Sequence, residues 1–268
     1  MSFDERFGGI ARLYGARALA RFAEAHVCVI GIGGVGSWAA EALARSGIGA
    51  ITLIDMDDIC ITNTNRQIHA LSNQIGTEKT RAMAERIALI NPDCQVTVVD
   101  DFINADNQAE HLSAGFDYVV DAIDSVRAKA ALIAFCKRNK IPVITAGGAG
   151  GQTDPSQIQL KDLSKTIQDP LASKVRGELR RFYNFSKNPK RKFGVDCVFS
   201  TEQPRYPDGE GGICSAKQES DGTMKMDCAS GFGAVTHITA TFGFFMVGRV
   251  LSKLATQADS QASVTQSE

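Results

Sequence analysis

No two of the seven cysteines form a CxxC pair; they stand at 28, 60, 94, 136, 197, 214 and 228. Their odd number and wide spacing argue against a disulfide framework and against a Cys-rich structural zinc site. Net charge is also lacking. At −1, no field over the whole molecule draws in an acidic partner, so any nucleic-acid contact must come from a local patch. The start of the chain, MSFDERFGGIARLYG, has no apolar signal-peptide core. These absences together point to a reducing, cytoplasmic setting. No internal repeat is present.

What is there reads as a soluble globular protein: 268 residues, 44% hydrophobic and 22% charged, enough to bury a substantial core. Residues 1–25 read as an amphipathic helical lead-in. HVCVI is then a buried strand, GIGGVG a tight turn, and 37–46 a helix. AITLIDMD is a second strand, and TEKTRAMAERIALIN a helix capped by Thr77 and stopped before Pro92. QVTVVDDF, FDYVVDAID and IPVITAG are further strands, with a helix before the second of these and SVRAKAALIAFCKRNK as a helix before the third. This alternation predicts an α/β, Rossmann-like doubly wound fold, with a mainly parallel sheet, helices on both faces and a less regular C-terminal part. QTDPSQIQLKDL reads as an outlying strand.

The expected organisation is a single domain over 1–268. Its core is 22–160, followed by an irregular basic insertion at about 165–225 that holds most of the prolines. An apolar segment spans 229–251, and a polar tail is expected to fray over 256–268. Ala229 to Leu251 is long enough to cross a bilayer. Its His237, three threonines and four glycines dilute it, which favours a helix or strand–helix piece buried in the core or at a subunit interface over membrane contact.

Parallel sheets bind ligands outside the carboxyl ends of their strands. Gly31 to Gly36, Asp55, Asp57, Asp121 and Asp124 cluster there. Gly31, Gly33 and Gly36 satisfy GxGxxG, whose backbone N–H groups can approach phosphate at a helix N-terminus. Asp55 stands where an acid would hold a ribose hydroxyl. That much also fits a dinucleotide dehydrogenase. The next segment does not: Asn63, Asn65, Arg66 and Gln67 follow Asp55 and Asp57, and Lys79 comes after. A dinucleotide has no use for this Arg and Lys, whereas a triphosphate does. Asp124, at the end of VVDAIDS beside Ser125, is placed to hold Mg²⁺ on the phosphates.

The set GIGGVGSWAAEALARSGIGAITLIDMD, NTNRQ, GTEK and DAIDS, covering roughly 22–151, resembles the ubiquitin-activating-enzyme-like adenylyltransferases. These include the bacterial activators of sulfur-carrier proteins. The resemblance implies that the glycine turn, with Gly34 among its residues, and Asp55 hold ATP. It implies that Asn65, Arg66 and Lys79 address the phosphates, and that Asp124 binds magnesium. It implies AMP transfer to a carboxylate with loss of pyrophosphate, and a homodimer. The catalytic residues expected on this basis are Arg66, Lys79 and Asp124.

Two departures matter. The four-cysteine zinc site common among the sulfur-carrier activators is missing. Their N-terminal R-Y-x-R, which sends an arginine to the partner's site, is RFGG in this chain, with Gly9 at the second arginine's position. Arg6 and Arg12 are the substitutes within reach. Cys214 and Cys228 are the candidates for a thioester.

Further stretches, among them RFGGIARLYG, ITAGGAGGQTDPSQIQ, SKTIQDPLASKVR, GVDCVFSTE and MDCASGFGAVTHITATFGF, resemble one branch of that family, the bacterial tRNA threonylcarbamoyladenosine dehydratases. This closer resemblance runs over nearly the whole chain. It implies that the threonine carboxylate of a modified adenosine beside the anticodon is activated by ATP and closed into a ring with loss of water. It also implies a link to a cysteine desulfurase and its sulfur-acceptor protein. The alternative is activation of the C-terminus of a sulfur-carrier or ubiquitin-like protein. An RNA substrate has some support in the residues themselves. Lys174, Arg176, Arg180, Arg181, Lys187, Lys190, Arg191 and Lys192 are opposed only by Glu178, with Phe182, Tyr183 and Phe185 interleaved. Basic groups can track a phosphate backbone while aromatics stack unpaired bases.

Overall fold

The strands read from the apolar runs form in a computed structural model, which describes residues 2–208, 212–214 and 233–265. They are β1 (His26–Ile30), β2 (Ala50–Ile54), β3 (Gln95–Val99), β4 (Tyr118–Asp121), β5 (Val143–Ala146), β6 (Ile158–Asp162) and β7 (Asp196–Ser200). One sheet holds all seven in the order β3-β2-β1-β4-β5-β7-β6. Every pairing is parallel except β6 with β7, so the antiparallel strand lies at an edge. The chain runs outward from β1 through β2 to β3, then returns to β4 on the other side of β1. That reversal leaves a crevice beyond the carboxyl ends of β1 and β4, where doubly wound sheets take their ligands.

Alternation along each strand divides the interior into two cores. Val27, Val29, Ile51, Leu53 and Val120 face one of them. It is covered by α2 (Ala16–Glu24), α3 (Gly36–Arg45), α4 (Lys79–Ile90) and α8 (Thr236–Thr265), through Phe22, Leu43, Met83, Phe242 and Met246. Cys28, Ile30, Val119 and Phe199 face the other. There α6 (Val126–Arg138) and α7 (Pro170–Phe182) contribute Leu132, Ile133, Val175 and Leu179. Because both faces are covered, the central strands are mainly apolar, with Thr52, Asp121 and Thr145 as buried polar exceptions.

The structure corrects several expectations. The lead-in is two helices, α1 (Phe3–Tyr14) and α2, because Gly15 turns the chain at φ +91°. A capping box between Ser2 and Glu5 starts α1. Thr77 does not cap α4. Glu78 stands at the cap position without a side-chain bond, and Lys79 N–H donates to the Asp57 carbonyl at 3.0 Å. The helix before β4 is a single turn, α5 (Gln108–His111).

The insertion at about 165–225 is regular in its first part. Asp169 caps α7 by accepting from Ala172 N–H at 2.8 Å, with Pro170 in the first helical turn. β7 then enters the main sheet between β5 and β6. A small hairpin pairs β8 (Tyr206–Pro207) with β9 (Ile213–Cys214). Cys214 therefore lies in the hairpin, while Cys228 falls outside the described residues.

The apolar segment forms the first half of α8, which continues past Thr256 to Thr265 where fraying is expected. Residues 229–232 and 266–268 lie outside the described residues. α8 is long and apolar enough to cross a membrane. Its Ile238, Phe242, Met246, Val250 and Leu254 are fully buried in the first core, and Arg249 Nε donates to Asp196 at 2.6 Å. Burial thus accounts for its apolar stripe. Phe244 and Phe245 on another side are 47% and 41% exposed.

Candidate active site

The glycine turn leaves β1 with Gly31 at φ +86°, a conformation that favours glycine. A Cβ on Gly31 would stand 2.9 Å from the Ala122 carbonyl oxygen. A Cβ on Gly36 would stand 1.8 Å from that of Gly31, so the turn closes only with glycine there. Among the described residues, the N–H groups of Gly33, Gly34 and Val35 have no acceptor. They lead into α3, with Val35 at its cap position, and the dipole of that helix favours an anion at this end.

A cleft of about 780 Å³ opens from this turn. Eleven of the expected residues line it: Gly31, Gly33, Gly34, Asp55, Asp57, Asn63, Arg66, Gln67, Lys79, Asp124 and Ser125. Gly36 and Asn65 do not. Gly36 closes the turn from behind. Asn65 turns its side chain to the start of α8, donating to the Ala234 carbonyl at 2.8 Å and accepting from Arg66 at 3.0 Å. It therefore meets the cleft through Arg66.

The charged groups divide into buried supports and accessible ends. Asp55 is buried and accepts from Ile32 N–H at 2.6 Å and Asp57 N–H at 2.9 Å. Burial raises its pKa above the usual carboxylate value, opposed by Lys79 and these two N–H groups. Lys79 is buried too and donates to Asp57 at 2.6 Å, leaving two ammonium hydrogens for phosphate oxygens. The Arg66 guanidinium donates to the Thr62 carbonyl at 2.9 Å. The Arg66 carbonyl is held by Trp38 Nε1 at 3.0 Å and Thr239 Oγ1 at 3.2 Å. The first turn of α8 therefore sets the backbone that carries Arg66.

Asp124 is exposed just ahead of α6, and Ser125 occupies that helix's cap position. Asp121, one of the acids at the strand ends, is not a cleft group. It is fully buried, paired with Lys129 at 2.9 Å and accepting from Thr145 at 2.7 Å. Among the described residues no cluster of three metal-ligating side chains occurs.

Reasoning from the sequence missed two walls of the cleft. Phe102, Ile103 and Asn104 come after β3, and Gly147 to Gly150 after β5. Both sit beyond a strand's carboxyl end, and the GGAGG run after β5 was the available signal. Asp169, nearly buried, anchors the second wall by accepting from Gly148 N–H at 3.0 Å.

Most of the basic stretch lies elsewhere. α7 begins at the cleft with Leu171 and carries the stretch to its other end, about 20 Å away at the helical rise per residue. Lys174, Arg181, Lys187, Lys190, Arg191 and Lys192 are exposed. Arg176 instead turns inward to the Thr166 hydroxyl, and Arg180 packs over the Phe193 ring at 5.4 Å. Tyr183 and Phe185 pack against the second core; Phe182 is 58% exposed, with Arg181 over its ring. Of the N-terminal arginines, Arg6 donates to the Ile90 carbonyl at 3.2 Å, and Arg12 lies on α1.

Residues 9–266 match the ThiF family. The tRNA threonylcarbamoyladenosine dehydratase of Escherichia coli (strain K12) is 64% identical over 260 residues, 97% of each chain. A crystal structure of E. coli tRNA N6-threonylcarbamoyladenosine dehydratase, TcdA, in complex with ATP superposes with a TM-score of 0.86 at 60% identity, covering 96% of this chain and 97% of that one. Its complex with AMP gives 0.85 at 60% identity, covering 96% of each chain.

Proposed function

The chain belongs to the ThiF family, and from that premise we propose that it is an ATP-dependent enzyme that dehydrates threonylcarbamoyladenosine in tRNA, closing the modification into a ring. One observation carries this reading. The likeness to a dehydratase extends over both chains nearly end to end, and one cleft gathers the glycine turn, Arg66, Lys79 and Asp124.

A carboxylate is a poor electrophile because hydroxide is a poor leaving group. The threonine carboxylate oxygen bonds to a phosphorus of ATP as that phosphorus loses its bridging oxygen, expelling pyrophosphate from the α-position or ADP from the γ-position, and the carboxylate oxygen becomes a good leaving group. An atom of the same side chain then attacks the carbonyl carbon. The C–O bond breaks, the oxygen departs on the phosphorus it joined, as AMP or as phosphate, and the attacking atom gives up its proton to solvent, which together account for the lost water. The protein's task is to bind, align and neutralise charge. The glycine-turn N–H groups and two of the Lys79 hydrogens face the phosphates, and the Arg66 guanidinium stands beside them. Asp55 holds the turn and offers its remaining lone pairs to the ribose. The second step is intramolecular and needs no enzymic nucleophile.

The residues present fit Mg²⁺ held mainly by phosphate. Three exposed carboxylates, Asp57, Asp58 and Asp124, border the cleft; Asp57 is paired with Lys79, and Asp124 would hold the ion, which keeps several waters. The exposed cations of the basic stretch would meet the tRNA backbone away from the reacting base. The exposed Phe244 and Phe245 fit a homodimer contact. We place the enzyme in the cytoplasm with its tRNA, with a cysteine desulfurase and its sulfur-acceptor protein as partners. Activation of a sulfur-carrier C-terminus is disfavoured by the missing CxxC pairs.

The test is mass spectrometry of nucleosides from tRNA bearing threonylcarbamoyladenosine, after incubation with the protein, ATP and Mg²⁺. Loss of one water that requires ATP is the expected result, and the nucleotide released, AMP or ADP, identifies the phosphorus attacked. No mass change with ATP bound would overturn the reading and turn the search to carrier proteins.

A further inference from the structure

A buried histidine that the chemistry above does not use lies directly behind the glycine turn. His69 is 1% exposed, and its Nε2 lies 2.9 Å from the Ile32 carbonyl oxygen. A carbonyl only accepts, so Nε2 carries the hydrogen. Burial holds the ring's pKa at about 4, the Ile32 contact opposing this and Lys79 and Arg86 pushing it down further. The ring is therefore neutral at physiological pH and has one N–H, committed to Ile32. Nδ1 is buried without a partner among the described residues. A purely packing role would be filled better by an apolar side chain, since a buried unpaired polar atom is unfavourable.

Ile32 is thus gripped at both ends. Its N–H donates to Asp55 Oδ2 at 2.6 Å, and its carbonyl accepts from His69. The peptide joining Ile32 to Gly33 is planar and trans, so its C=O and N–H point in opposite directions. With the carbonyl drawn inward to His69, the Gly33 N–H points outward. It finds no acceptor among the described residues, and Gly33 lines the cleft. Glycine at 33 lacks a side chain to resist rotation of this peptide, so something outside the turn must fix it.

We infer that His69 is a positioning residue for the nucleotide: by holding the Ile32 carbonyl it aims the Gly33 N–H at a phosphate oxygen of ATP. The His69 ring touches no substrate. It preorganises a donor whose flip would present a carbonyl dipole to the phosphates instead. This rests on the ATP-dependent reading of the cleft.

The experiment compares wild type with His69→Gln, His69→Asn and His69→Leu. It measures ATP affinity by titration, KM for ATP and for modified tRNA, kcat and thermal midpoint. Gln places an amide N–H near the Nε2 position, whereas Asn is too short and Leu has no donor. His69→Asn and His69→Leu should weaken ATP binding about tenfold or more and leave the KM for tRNA unchanged. His69→Gln should recover most of the loss. A structural role alone would lower the thermal midpoint of all three without this pattern. If His69→Leu does not fold, the Gln and Asn pair still decides. A folded His69→Asn with wild-type ATP affinity, or a Gln variant as weak as Asn, overturns the inference. Absence of ATP binding in the wild type would instead overturn the reading on which it rests.

Discussion

Lys79 is fixed from two sides, by burial and by its 2.6 Å contact with Asp57. An ammonium so held does not reorganise as phosphate charge develops, which is where electrostatic catalysis is strongest. Arg66→Ala and Lys79→Ala should each lower kcat/KM by about a thousandfold, measured by conversion of the modified nucleoside. Asp124 is exposed at the cleft margin, so Asp124→Ala should melt within about 0.5 kcal/mol of wild type and yet lose turnover. Retained turnover in that variant would sink the metal assignment. The gathering of Arg66 and Lys79 at one cleft was legible in the sequence because NTNRQ and GTEK place an Arg and a Lys after Asp55. The role of Asn65 was not: it holds Arg66 and the start of α8, a contact made 169 residues away.

At the scale of elements, the cleft is a set of strand ends, each tied to the turn or loop beyond it. Gly36→Ala would drive a methyl into the Gly31 carbonyl, so the first turn of α3 must shift. ATP binding should be lost even if the protein stays folded, which calorimetric titration reads. Thr239→Val keeps shape but removes a donor to the Arg66 carbonyl. It should raise the KM for ATP several-fold, in line with about 1 kcal/mol for one hydrogen bond.

Asp162 ends β6 and accepts from Ser164, Phe193 and Gly194 N–H groups. Burial pushes its carboxyl up, but these bonds outweigh it and the net shift is downward. Its stabilisation is therefore present above the ordinary carboxylate value of about 4 and is lost as pH falls through the folded pKa. Asp162→Asn should destabilise by about 2 kcal/mol at neutral pH, with a smaller difference in strong acid, as denaturant melts at several pH values would show.

For the whole molecule, the cleft borders the start of α7, and the exposed cations from Arg181 to Lys192 lie at and beyond its other end. Replacing Lys190, Arg191 and Lys192 with Ala should weaken tRNA binding and flatten its salt dependence, leaving the KM for ATP unchanged. An equal fall in ATP affinity would remove the stretch from RNA contact. His69 also sets part of the acid stability. Its folded pKa of about 4 is below the unfolded value, so the native state is favoured above about pH 6.5 and loses about 3 kcal/mol as pH falls to 4. That part of the slope should vanish in His69→Gln.

The sequence by itself determined the alternation of strands and helices, the glycine turn and the order of the cleft-lining Asp, Arg and Lys, because these depend on residues within a few tens of positions. Only the tertiary structure placed β7. Five residues, DCVFS, carry no period that sets them apart, and their pairing with β5 and β6 is nonlocal. It also divided the basic residues. Charge shows in composition, but whether Arg176 faces water or Thr166 depends on which side of α7 meets the core. His69 was silent for the same reason: its meaning lies in the carbonyl it meets 37 residues away, and side-chain contacts across a fold leave no spacing to read.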